Sequence, residues 1–111
     1  MAYDEKLAER VRGLLAAEPG VTEKKMFGGL AFMIDGNMAV SASGQGGLLV
    51  RVDPAASERL IATTPARLME MGGRSMAGWL LVPGEHLGTK RPLATWVDRG
   101  VRYARSLPAK A

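Results

Sequence analysis

The chain predicts a two-layer α+β domain, an antiparallel sheet with helices on one face, in the order α-β-β-β-β-α-β-β-α. Three observations lead there. Apolar residues recur at helical spacing near both ends, the spacing becomes alternation between Thr22 and Val52, and turn residues at Asp35-Gly36, Gly44-Gln45-Gly46-Gly47 and Asp53-Pro54 punctuate the alternating stretch.

The first helix is expected over residues 4–17. Leu7, Val11, Leu14 and Leu15 fall on one face behind Asp4 as N-cap, and Pro19-Gly20 stops the run. In the alternating stretch, Leu30, Phe32 and Ile34 share one side of a strand. On the next strand Met38, Val40 and Ala42 oppose Ser41 and Ser43. Asp35-Gly36 lies between the two runs and tolerates the positive φ of a tight hairpin, so these strands should pair antiparallel. Leu48 to Val52 reads as a further strand.

Asp53-Pro54 is a helix start, because Asp accepts from the free first-turn amides and Pro has no amide to satisfy. The short helix passes through Ala56, Leu60 and Ile61 and ends by Thr64-Pro65, since a residue before proline is pushed out of helical geometry. Residues 67–71 form a short strand, Gly72-Gly73 a turn, and Met76 to Val82 a strand ending at Pro83-Gly84. In the last helix Leu93, Trp96, Val97, Gly100, Val101, Ala104 and Leu107 share an arc of roughly 140°. Arg91, Thr95, Asp98, Arg99, Arg102 and Arg105 occupy the other side. Pro92 sits in its first turn and Pro108 ends it.

With 111 residues, 47% hydrophobic and 23% charged, the chain is expected to be one domain, residues 1–111, able to fold without staples. It has no Cys and a single His, His86, which excludes disulfides, thiol catalysis, thiolate metal sites and any two-histidine metal motif. No cofactor is expected. No apolar run approaches the ~20 residues of a membrane span and no signal pattern opens the chain, so the expected location is the cytoplasm, with no membrane partner. The net charge is +4. The surplus lies after residue 87, where Lys90, Arg91, Arg99, Arg102, Arg105 and Lys110 stand against Asp98 alone.

The glycine clusters are turns rather than phosphate cradles, because each is followed by a strand-like run instead of a helix N-terminus. His86 follows Glu85 in a loop, but no serine lies in a nucleophile pattern and the acids are scattered singly. More informative is the second sheet face. If Leu30, Phe32, Ile34, Leu48, Val50 and Val52 face the helices, then Ala31, Met33 and Leu49, with Trp79 and Leu81, point away. Water should not meet all of them. Either the third helix crosses to cover this face, or Met33, Leu49, Trp79 and Leu81 form an apolar interface with a protein partner or a second copy.

Lys24-Lys25-Met26-Phe27-Gly28-Gly29 leading into Leu30 to Ile34 and Asp35-Gly36-Asn37-Met38, then Leu48-Leu49-Val50-Arg51-Val52-Asp53, resembles the N-terminal domain of TfoX/Sxy proteins. Gly72-Gly73-Arg74-Ser75-Met76, Gly78-Trp79 to Val82-Pro83, Trp96-Val97 and Tyr103-Ala104-Arg105-Ser106-Leu107-Pro108 are similar to the same pattern. The resemblance implies the α+β fold reached above and an association with bacterial DNA-uptake competence, where longer relatives assist a cyclic-AMP-responsive transcription activator. Those relatives carry a helical C-terminal domain. This chain, ending at Ala111, is expected to be a stand-alone version, and the resemblance supplies no catalytic motif.

Three functions follow as expectations. The first is a non-enzymatic regulatory or protein-interaction module. The second is direct nucleic-acid binding, with Arg91, Arg99, Arg102 and Arg105 along phosphates. The third is small-molecule binding, which requires His86, Glu85 or Arg74 to converge in a pocket.

Overall fold

A computed structural model describes residues 3–26, 28–71 and 73–109. Phe27, and Gly72 of the expected Gly72-Gly73 turn, lie outside them. The element order is α1 (Glu5–Leu14), β1 (Val21–Met26), β2 (Gly29–Ile34), β3 (Asn37–Ala42), β4 (Leu48–Arg51), α2 (Ser57–Thr63), β5 (Arg67–Met71), β6 (Arg74–Val82) and α3 (Lys90–Ser106). Single 3-10 turns at Pro54–Ala56 and Gly84–His86 precede α2 and α3. The six strands form one antiparallel sheet in the order β1-β2-β3-β4-β6-β5, the fold class that the sequence predicts.

Local chemistry sets the boundaries. Asp4 caps α1 by accepting from the amides of Lys6 and Leu7, and Asp53 caps the Pro54 turn by accepting from Ala55. Asp35 and Gly36 take φ of 50° and 83°, two consecutive positive values that match the twist of a two-residue hairpin between β2 and β3. Gly28-Gly29, Gly44 to Gly47 and Gly73 all lead into strands.

The main core lies between one sheet face and the helices. Leu30, Phe32, Ile34, Val40, Ala42, Leu48, Val50, Leu80 and Val82 meet Leu7, Val11 and Leu15 of the α1 region and Leu93, Trp96, Val97, Val101 and Ala104 of α3. Each large side chain buried here contributes about 1.5–3 kcal/mol. The closest approach is at Gly100, where a Cβ would collide with the Ala39 carbonyl oxygen and lie 2.8 Å from Val40 Cγ1. Glycine is therefore what lets α3 sit on β3. Arg12 of α1 clasps Glu23 of β1 through two hydrogen bonds of 2.7 and 2.8 Å. That hydrogen bonding, reinforced by Coulomb attraction and opposed by desolvation, holds the Glu23 carboxyl below its ordinary range and the guanidinium above its own.

Two irregularities depart from simple alternation. Phe32 pairs with Val40 but Met33 pairs with Met38, so Ala39 is an extra residue and β3 bulges there. Met38 therefore joins Ala31, Leu49 and Met69 on the second face, while Val40 and Ala42 stay in the main core. The expectation that Met38 shares a side with Val40 fails for this reason. In β6, Leu80 pairs with Leu68 but Met76 pairs with Met69, so Ala77, Gly78 and Trp79 have no counterpart on β5. Gly78 takes φ of 85° within this excursion.

The excursion bears on how the second face is covered. The third helix does not cross to it, since α3 packs against β3, β4 and β2 through the main core. Instead the sheet curls. Met26 of β1 and Met69 of β5 come from the two outermost strands, which a flat sheet would hold about 24 Å apart. Both line one small cavity of about 60 Å3, beside Met38 and Leu49. Ala31, Met38, Leu49 and Met69 are consequently buried, although none of the described helices contributes a residue to their cluster. No helix among the described residues is long and apolar enough to cross a membrane.

Candidate interaction surfaces

The predicted apolar interface divides. Leu49 and Leu81 are 7% and 3% exposed, buried within the chain, whereas Met33 and Trp79 are half-buried at the edge of the second-face cluster. Lys24, Ala31, Ser41, Leu49, Leu81 and Arg67 form one row across the sheet, so cations stand at both ends of this apolar strip.

The predicted arginines have distinct surroundings. Arg105 bonds Glu18 at 2.7 Å and the Pro19 carbonyl at 3.0 Å, with Asp35 at 3.7 Å, so it staples the α1–β1 and β2–β3 connections to the end of α3. Arg102 pairs with Asp98 at 2.9 Å on the exposed face of α3, an i,i+4 contact worth about 0.3–0.5 kcal/mol. Arg99 lies 4.4 Å above the Trp96 ring, a contact worth about 0.5–1 kcal/mol. Arg91 is exposed in the first turn of α3. Helical geometry puts Arg91 and Arg102 on the same side but about 16 Å apart along the axis, with Asp98 on the line between them. The four residues do not make a continuous basic stripe.

A different grouping emerges where α3 passes α2. Arg99 and Arg102 stand across from Arg59 of α2 around a groove of about 380 Å3. Val52, Ala56, Leu60 and Tyr103 supply its apolar surface, with Asp53 and Ser106 also on its walls. The groove is positioned by three devices. Ser57 fixes the start of α2 by accepting a 2.6 Å hydrogen bond from the Gly78 amide, and Leu60 is anchored in the main core. Tyr103 is held by Arg51, whose guanidinium lies 5.5 Å from the Tyr103 ring and 5.0 Å from the Trp79 ring. The Asp53 carboxylate, an acid on the wall, caps the Pro54 turn through the Ala55 amide. Sequence patterning gives no role to Arg59, Tyr103 or Arg51, although Arg51 falls in the family-like Leu48 to Asp53 run. A lone arginine on a seven-residue helix carries no periodic signal, although Tyr103 falls in the family-like Tyr103 to Pro108 run.

Glu85 and His86 are exposed in the 3-10 turn after β6, and Arg74 begins that strand. They lie at opposite ends of a nine-residue strand and do not converge. Among the described residues, no group of three or more His, Asp and Glu side chains is placed to hold a metal ion.

A small curled antiparallel sheet, helices on one side and an open basic groove between two of them, defines a domain built around exposed surfaces. Residues 13–104 match the model of the TfoX N-terminal domain, and the chain belongs to that family. No curated protein and no solved structure matches it.

Proposed function

We propose that the chain is a regulatory module without catalytic activity of its own, acting by binding another protein in the setting of DNA-uptake competence and transcription control that the TfoX family implies. The observation that carries this reading is the α2–α3 groove, where arginines from two elements flank the half-buried apolar side chains of Ala56 and Tyr103. Such a surface suits a segment of another macromolecule better than it suits turnover of an enclosed substrate. Nucleic-acid binding through Arg91, Arg99, Arg102 and Arg105 is a second reading, favoured by the exposure of Arg91 and Arg102 and disfavoured by the engagement of Arg105 with Glu18.

The test is genetic. Removing the chain from its host should change the transcript levels of DNA-uptake genes, and both the wild-type chain and His86→Ala should restore them. Unchanged transcripts would remove the regulatory reading. Turnover of a metabolite by purified protein, lost on His86→Ala, would replace it with an enzymatic one.

A further inference from the structure

We propose that the groove between α2 and the C-terminal half of α3 is the docking site for an acidic peptide segment of a partner protein. An apolar side chain of that segment seats beside Ala56 and Tyr103, the half-buried apolar residues of the groove wall, and its carboxylates reach Arg59, Arg99 and Arg102. This rests on the reading of the chain as a protein-binding module and names the chemistry of the partner.

Charge complementarity is the first argument. The three arginines come from two separate elements and outnumber the one acid on the groove wall, Asp53, which also caps the Pro54 turn through the Ala55 amide. Arg102 has Asp98 beside it, but both side chains are largely exposed, at 80% and 55%, and water screens the pair. A carboxylate arriving from a partner can take the guanidinium edge facing the groove, because an arginine presents five donors and one neighbour does not fill them.

Preorganisation is the second argument. Arg99 is held over the Trp96 ring by a cation–π contact of 4.4 Å, which fixes the position of the guanidinium, and its five donors remain available to a carboxylate because the ring accepts no conventional hydrogen bond from them. Arg51 holds Tyr103 as one wall by the same kind of contact. Arg99 and Tyr103 are thus already positioned, which lowers the entropic cost of docking for these two side chains.

The apolar surface selects the occupant. A phosphate backbone makes polar contacts and has no use for the apolar surface of Ala56 and Tyr103, and the side of α3 along which a duplex would lie is interrupted by Asp98 and by the engagement of Arg105. A peptide that alternates acidic and apolar side chains satisfies both halves of the groove.

Fluorescence anisotropy on the full chain provides the test. The probe is a short labelled peptide of Asp and Glu residues interrupted by one Leu and one Phe. Binding should weaken about tenfold in Arg99→Glu/Arg102→Glu and similarly in Arg59→Glu, and it should be unchanged in Arg91→Glu, which lies outside the groove. A peptide of equal charge with both apolar residues replaced by Ser should bind more weakly. Arg59→Glu leaves α3 untouched, so it decides the matter if the α3 double variant fails to fold by circular dichroism. No binding of the probe, an equal loss in Arg91→Glu, or indifference to the Leu and Phe residues would overturn the proposal. Tighter retention of a labelled DNA duplex, abolished by Arg59→Glu, would reassign the groove to nucleic acid. None of these results alters the transcript measurement, so the regulatory reading stands or falls separately.

Discussion

The hydroxyl of Ser57, at the start of α2, accepts a 2.6 Å hydrogen bond from the backbone amide of Gly78, inside the β6 excursion. The carbonyl of Gly78 is taken by the Val52 amide at 2.8 Å, so both backbone groups of one unpaired strand residue are satisfied from the segment that enters α2. Removing the hydroxyl leaves a buried amide without a partner. Ser57→Ala should therefore destabilise the fold by about 1–3 kcal/mol. In thermal denaturation that corresponds to roughly 4–8 °C for each kcal/mol. An unchanged midpoint would mean that the amide finds another acceptor.

Gly78 itself should tolerate no side chain. Its φ of 85° disfavours L residues, and a Cβ would lie 2.9 Å from the Val52 carbonyl oxygen. Gly78→Ala is expected to cost at least about 1–3 kcal/mol in urea denaturation. Met69 stands at the register shift opposite this excursion, so the same variant should also loosen Met69 and raise amide exchange in β5.

Two helical glycines should respond with opposite signs. Alanine is ordinarily the better helix former, by about 0.8–1 kcal/mol. A Cβ on Gly13 would meet no atom within 4 Å, so Gly13→Ala should stabilise by about that amount. At Gly100 the new methyl would strike the Ala39 carbonyl and Val40, and Gly100→Ala should destabilise by roughly 1–3 kcal/mol through overpacking. Chemical denaturation of the two variants side by side checks the contrast. Stabilisation in both would show that α3 can lift off β3 at little cost.

The Arg12–Glu23 clasp should make stability depend on pH in the acid range. Because the folded state holds the Glu23 carboxyl below its ordinary value of 4.5, folding favours the ionised form. The contribution is fully present above that value and is lost as pH falls through the lower folded value. Glu23→Gln should therefore narrow the gap to wild type as pH drops from about 6 toward 3. Melting temperatures of both chains across that range are the measurement, and a constant difference would assign the pair no role.

Oxidation should distinguish the methionines of the second face. Met38 and Met69 are 5% and 6% exposed, whereas Met33 and Met26 are half-buried at the edge of the same cluster. Mild peroxide followed by peptide mass spectrometry should find sulfoxide at Met33 and Met26 before Met38 and Met69. Equal rates would mean that the curled sheet opens freely.

The readable parts of this fold are those fixed by neighbours in the chain. The Asp35-Gly36 hairpin, the Asp53 cap and the buried arc of α3 all follow from residues within a few positions of one another. The bulge at Ala39 and the excursion at Gly78 were not legible, because both answer to distant partners: Gly100 on one side, Ser57 and Val52 on the other. The same distinction divides the site. Arg99 and Arg102 could be placed on one side of a helix from their spacing, but Arg59 joins them only through the packing of α2. The engagement of Arg105 with Glu18 spans 87 positions, beyond anything helical periodicity reports.

The outermost strands carry one further consequence. Along β1, Thr22 to Lys25 are exposed, and β5 presents Arg67 and Glu70. An unpaired border of this kind invites strand addition by a like molecule, and fixed charge there makes such addition unfavourable, because the ionised side chains would lose water on pairing. The chain should accordingly stay free of fibrillar assembly at concentrations where a bare border of valine and isoleucine would seed it.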